Sequence, residues 1–199
     1  GSQTVAALAI FGGLFHIINH ATFKSLLFLC SGSVEYVAGS RDLHQLGGLK
    51  RVMPTTAGCC RLAALAIAGV PPFNGFFSKL IIIIALALAG YWSLAALAAL
   101  VSFMTLLLFI KVQRFALEGE TPQRLHAVRD VPAPMRAAMV ALAVACILLG
   151  VLVPLHKDIL IEPAASALID GRAYADRFRP APFSDHAVAR LDPAERAQP

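Results

Sequence analysis

The chain predicts an all-α fold: a polytopic membrane helix bundle of about five transmembrane helices, one of them discontinuous, with a polar C-terminal tail. Composition is the first observation. Hydrophobic residues make up 58% of the 199 positions and only 15% are charged, against roughly a quarter in soluble domains. Second, the charge deficit is concentrated between residues 5 and 153. Third, the apolar runs there are continuous rather than alternating, which excludes a lipid-facing barrel. Only helices or closed barrels satisfy the backbone in lipid, so these runs are helices.

The first apolar segment runs from about Val5 to Val37. It exceeds the ~20 residues that cross a bilayer, so it is tilted, bent or extends past one face. Gly39 to Pro54 is polar and basic and turns at Gly47-Gly48, which reads as a loop. A short second segment, about Thr55 to Val70, contains Arg61 and ends at Pro71-Pro72. The third, about Phe76 to Ala89, carries Lys79 and the run LIIIIALALA. Gly90 and Tyr91-Trp92 mark a boundary, with the aromatics at interfacial depth. The fourth runs from Trp92 to Ile110 and ends at Lys111, Gln113 and Arg114; a polar connection, Glu118 to Pro134, follows. The fifth runs from Met135 to Val153 and stops at Pro154. Residues 1–155 thus form the transmembrane part. Residues 156–199 form a polar tail, in which KDILIEPAASALIDG can make one short amphipathic turn or helix at the surface. On a count of five crossings, the basic residues near the spans tie between the two sides, so charge alone does not orient the chain.

Several function classes drop out. The net charge is +5, yet the basic residues are scattered, with no stripe and no interleaved aromatics, so no nucleic-acid partner is expected. Cys30, Cys59, Cys60 and Cys146 lie in apolar stretches without ligand spacing; they read as small buried hydrophobes, and no metal or cofactor site is expected. No P-loop, GxGxxG, GxSxG or HExxH pattern occurs, so catalytic chemistry within this chain is not expected. A start without Met or a basic n-region predicts an internal piece of a longer protein rather than a signal peptide.

The ionisable residues inside the spans carry the functional reading. His16, His20 and Lys24 follow one another at intervals of four. At 100° per residue they form one helical stripe about 12 Å long, with Asn19 beside it. Lys24 precedes Glu35, the next charged residue, by eleven positions, or about 16 Å along the helix. That is about half the hydrocarbon thickness and beyond the reach of snorkelling. For His16 alone, an interhelical hydrogen bond and a proton-carrying role are both open readings. Lys79 lies in VPPFNGFFSKLIIII. This is either an interfacial turn with a snorkelling lysine or a helix break of the kind transporters use at ion sites. No Asp or Glu occurs between Asp42 and Glu118. Neither lysine therefore has a carboxylate partner within the spans, and an ammonium so placed can release and regain a proton. With the histidines, which titrate near neutrality, these residues read as stations of a proton wire. Arg61 keeps its proton and reads as a structural anchor.

The residues LFHIINHATFKSLLFLCSGSV, RDLHQLGGLKRVMPTTA and AIAGVPPFNGFFSKLIII resemble the antiporter-like proton-translocating subunits of respiratory complex I. That family includes membrane subunits of energy-converting hydrogenases and of multi-subunit Na+/H+ antiporters. The likeness covers residues 14 to about 84, and KVQR after the fourth segment leans toward the hydrogenase and antiporter branches. The resemblance implies two inverted five-helix bundles plus flanking helices, of which this chain is the last part, family helices ten to fourteen. It implies that Lys24 is the lysine near the centre of helix ten, that His16 and His20 are the histidines before it, and that Lys79 is the charged residue at the break of helix twelve. It places the 39–54 loop outside and the 111–136 connection in the cytoplasm.

The implied function is proton translocation within a redox-driven pump, with a Na+/H+ antiporter subunit or a structural membrane anchor as alternatives. The implied partners are the lipid bilayer, other membrane subunits and the missing N-terminal half of the same subunit. The implied location is a bacterial or archaeal cytoplasmic membrane.

Overall fold

A computed structural model describes residues 2–169. All five apolar segments are helical. Helix α1 spans Ser2–Ala38, α2 spans Leu49–Val52, α3 spans Pro54–Ala68 and α4 spans Asn74–Leu88. Helix α5 spans Trp92–Leu117 and α6 spans Ala133–Val151; the short helices α7 (Val153–His156) and α8 (Glu162–Ile169) flank a π-helical turn, Lys157–Ile161. Among the described residues there is no strand. Helix α5 runs seven residues beyond the expected end at Ile110. Its last turns are held in place: Gln113 donates to the Cys60 carbonyl over 3.0 Å, and Ala116 and Leu117 are buried.

Three helices, α1, α5 and α6, are long and apolar enough to cross a membrane. Helices α3 and α4 have 15 residues each, about 22 Å, too short to cross alone. They lie end to end along α1. Cys60 of α3 lies against Cys30, Asn74 bonds Asn19, Ser78 bonds His16, and Ile81 and Ile82 lie against Gly12. Position numbers rise along α3–α4 as they fall along α1, so the pair makes one antiparallel passage, interrupted in the middle. Five helical segments therefore make four passages.

This geometry overturns the expected sidedness of the loops. Residues 39–53 and 118–132 lie at the same end. Gly48 N–H donates to Glu118 O over 2.8 Å, Arg124 donates to the Ala38 and Gln45 carbonyls, and Asp130 accepts from Thr55 and Thr56. The expectation counted the segments on either side of Pro71-Pro72 as two crossings. The break joins them into one, so the connection after α5 returns to the starting side. That end holds Arg41, Lys50, Arg51, Lys111, Arg114, Arg124, Arg129 and Arg136. The opposite turn, Ala89–Tyr91, carries no charge.

The break has a defined construction. Helix α3 ends at Gly69, whose φ of 80° lets its N–H and that of Val70 satisfy the Ala66 and Leu65 carbonyls. Pro71 and Pro72 follow, joined by a cis peptide bond, and Asn74 opens α4. Helix α6 packs the break from the side, with Gly150 against the Pro72 and Asn74 backbone. A core of Phe23, Leu26, Met53, Ala66, Met139 and Cys146 fills the space between α1, α3 and α6. The expected amphipathic piece after Pro154 is helical as far as Ile169, and Ile161 and Ala165 are buried in it. The rest of the expected tail lies outside the described residues.

Candidate functional site

The site is built around the break. Asn19 and Asn74 are both completely buried. Each amide reaches the other helix: Asn19 Nδ2 donates to the Asn74 carbonyl and Asn74 Nδ2 donates to Asn19 Oδ1, both over 3.1 Å. Asn74 Oδ1 also accepts from the Gly75 N–H over 3.0 Å. A polar pair this far from water is tolerated only because its bonding is reciprocal. One turn further into α4, the buried Ser78 hydroxyl lies 3.3 Å from Gly75 O, 3.4 Å from Asn74 O and 3.0 Å from His16 Nδ1.

Lys79 comes next. Its Nζ donates to the Ile67 carbonyl over 2.6 Å. Ile67 lies in the last turn of α3, where carbonyls have no intrahelical donor. Lys79 thus sits at the negative end of α3, a position that suits a cation. Its side chain and the half-buried His16 ring line one cavity of about 460 Å³ between α4 and α5, walled by Leu94, Leu97, Val101 and Ser102.

The remaining expected residues are arranged less uniformly. The His16 and His20 rings are neighbours, with centroids 5.8 Å apart, and His20 lies on the exposed face of α1. Lys24 is half-buried, with Nζ 5.9 Å above the Phe28 ring. It faces a different cavity, of about 340 Å³, which Cys30, Cys60 and Gln113 also line and which reaches Ser40 and Arg41 at the basic end. Ser78 is level with His16, so Lys79 lies some eight residues, about 12 Å, from Lys24 along α1. The structure therefore sets His16 and Lys79 on one cavity, with Ser78 and His20 against the His16 ring, and sets Lys24 on a second. Among the described residues neither lysine forms an ion pair with a carboxylate. Arg61 pairs with Glu118 over 3.2 Å at the basic end, which fits an anchoring role. Glu35 pairs with Arg41 over 2.8 Å.

Sequence reasoning noted Asn19 only as a neighbour of the stripe and gave no role to Asn74 or Ser78. A signal was present. Asn74 and Ser78 are four apart at the start of an apolar helix, so they share a face, and polar groups inside a membrane are costly unless they are used.

At the basic end, Asp130 reaches back to the start of α3. Its carboxylate accepts from Thr55 N (2.8 Å), Thr56 N (3.3 Å), Thr56 Oγ1 (2.6 Å) and Val131 N (3.0 Å). Partial burial acts to raise its pKa, but the bonds from Thr56, Thr55 and Val131 outweigh it and hold the carboxyl below the usual range.

Fold and site together define an integral membrane protein whose second passage is broken at mid-depth beside ionisable groups. The family described as NADH:quinone oxidoreductase/Mrp antiporter, TM, matches residues 2–105, and the chain belongs to that family. It is 34% identical over 184 residues to a Na(+)/H(+) antiporter subunit A1 of Staphylococcus haemolyticus, covering 84% of this chain and 22% of that protein. It is 33% identical over 159 residues to hydrogenase-4 component B of Escherichia coli, covering 73% of this chain and 23% of that protein. Among solved structures, the Mrp complex from Dietzia sp. DQ12-45-1b contains a chain that superposes with a TM-score of 0.75 at 28% identity, over 84% of this chain and 39% of that one. The chain thus spans less than a quarter of the length of these two relatives.

Proposed function

We propose that this chain is the C-terminal proton-conducting part of an antiporter-like subunit in a multi-subunit membrane complex. It moves protons in a redox-driven pump of the NADH–quinone oxidoreductase or energy-converting hydrogenase kind. Protons reach Lys24 from the missing N-terminal half of the subunit, pass the His20 and His16 rings, and leave by Lys79. The observation that carries the reading is the broken passage, which sets Lys79 on a helix-end carbonyl and beside His16 in one cavity. Charge changes in a neighbouring subunit would drive the amines between protonation states. By the positive-inside rule the basic end faces the cytoplasm, and the membrane is the cytoplasmic membrane of a bacterium or archaeon. Lys79 is carried by the half of the passage remote from the cytoplasm, and its Nζ reaches back to the Ile67 carbonyl at the break.

The test is proton pumping by the reconstituted full-length complex carrying Lys24→Ala or Lys79→Ala. Loss of pumping with assembly intact is expected, and normal coupling in both variants would sink the reading. A second reading, cation exchange, is favoured by the similarity to the Na(+)/H(+) antiporter subunit of S. haemolyticus. Sodium prefers oxygen ligands, and among the described residues the spans offer carbonyls and hydroxyls but few carboxylates. Transport that requires Na+ and proceeds without a redox partner would select it.

A further inference from the structure

We infer that Ser78, held in place by the Asn19–Asn74 pair, fixes the tautomer of His16 so that Nε2 is the nitrogen that takes up and releases protons. The inference rests on the proposed role of His16 as a proton station and adds a positioning residue to it. The Ser78 hydroxyl has one proton and two lone pairs. Around it stand two carbonyls, Asn74 O at 3.4 Å and Gly75 O at 3.3 Å, and one ring nitrogen, His16 Nδ1 at 3.0 Å. Carbonyl oxygens only accept, so the hydroxyl proton has its partners there. The lone pairs then face His16, and the shortest of the three contacts is satisfied when Nδ1 carries a proton and donates it to Oγ.

A neutral imidazole has one N–H. With that hydrogen on Nδ1, the basic lone pair is on Nε2. The ring can gain a second proton there and lose the same one without disturbing the Ser78 bond. A ring free to exchange tautomers would bind and release at either nitrogen. The fixed ring exchanges at one atom only, in a ring that borders both His20 and the cavity shared with Lys79.

Ser78 does this only if it cannot move, and the break supplies the rigidity. Asn74 is fixed to Asn19 by two bonds of 3.1 Å, and Asn74 O receives both the Asn19 amide and the Ser78 hydroxyl. Ser78 is fully buried, so water does not replace these partners.

The experiment uses the full-length subunit in its reconstituted complex. The readouts are turnover-linked proton pumping and the solid-state 15N signals of labelled histidine, with His16 assigned by its loss in His16→Ala. The expected result is an Nδ1–H tautomer in the wild type. In Ser78→Ala the signal shifts to a tautomer mixture and pumping falls about tenfold, the effect of one lost hydrogen bond of typical strength. Ser78→Thr, which keeps Oγ, restores both. An Nε2–H tautomer in the wild type overturns the inference. So does wild-type pumping in an assembled Ser78→Ala complex. If His16→Ala itself pumps normally, the station role fails and this inference with it. If His16→Ala is inactive while Ser78→Ala is normal, only the positioning role of Ser78 fails.

Discussion

Replacing Asp130 by Asn isolates what one carboxylate does for the joint between the two loops at the basic end. Asp130 acts as an N-cap for α3 from 75 residues away, through Thr55 N–H and Thr56 N–H on Oδ2 and through the buried Thr56 hydroxyl and Val131 N–H on Oδ1. An Asn side chain keeps one oxygen. Its NH2 must then face two N–H donors, or the flipped amide must face the Thr56 hydroxyl and Val131. Losing charge-assisted bonds and leaving buried donors unmet costs about 2 kcal/mol, in the range measured for helix caps. The pH dependence has a definite sign. The folded carboxyl is held below its ordinary value, so its contribution is fully present above about pH 4 and is lost as pH falls through the folded value. Thermal unfolding of the detergent-solubilised full-length subunit, wild type against Asp130→Asn, measures this. The gap should be constant from pH 7 to about pH 5 and narrow progressively as pH falls below about 4. A gap that widens below about pH 4, or none at pH 7, refutes the reasoning.

Two further substitutions probe the break. A Cβ at Gly75 would overlap the Ala66 carbonyl oxygen, whereas a Cβ at Gly58 meets nothing within 4 Å. Gly75→Ala should therefore destabilise by about 1–3 kcal/mol or more through overpacking, while Gly58→Ala should be neutral or gain up to about 1 kcal/mol from helix propensity; equal melting temperatures for the two would contradict the packing of α3 on α4. Asn19→Leu alone leaves the buried Asn74 Nδ2 without its acceptor and Asn74→Leu alone leaves Asn19 Oδ1 without its donor, each at a cost of about 1–3 kcal/mol. The double variant removes both partners, so a double-mutant cycle should show the pair costing clearly less than the sum, and simple additivity would mean that the two amides do not bond.

Much of the fold was legible because membrane burial writes itself into composition. The five apolar runs became five helices, four of them within three residues of their expected ends and α5 seven residues longer, and VPPFNG marked the break, since two prolines remove donors in succession. What could not be read was whether the break reverses the chain or carries it onward. Both paths use the same Pro-Pro and the same Gly69. The choice is made by long-range pairs, Asn19 with Asn74 and His16 with Ser78, and their partners are 55 and 62 residues apart in the chain. The sidedness of the 111–136 connection followed from that one choice. For the site, the stripe His16, His20, Lys24 was visible as helical spacing. Its division between two cavities was not, because that depends on where α5 lies. The Ile67 carbonyl that holds Lys79 leaves no mark in a sequence, because every residue has one.

That carbonyl explains how a lysine persists at mid-passage without an acid. A helix C-terminus presents the equivalent of about half a negative charge, and the 2.6 Å bond from Lys79 draws on it. A carboxylate would present a full charge and make a far deeper well for the proton. With the helix end as its partner, the ammonium is held by less charge than a carboxylate would supply. Lys24 has an even weaker partner, the face of Phe28 at 5.9 Å, worth about 0.5–2 kcal/mol. The two amines therefore differ in what steadies them, one by a rigid backbone dipole at the break and the other by a ring on its own helix. Lys79 answers mainly to anything that shifts α3 against α4.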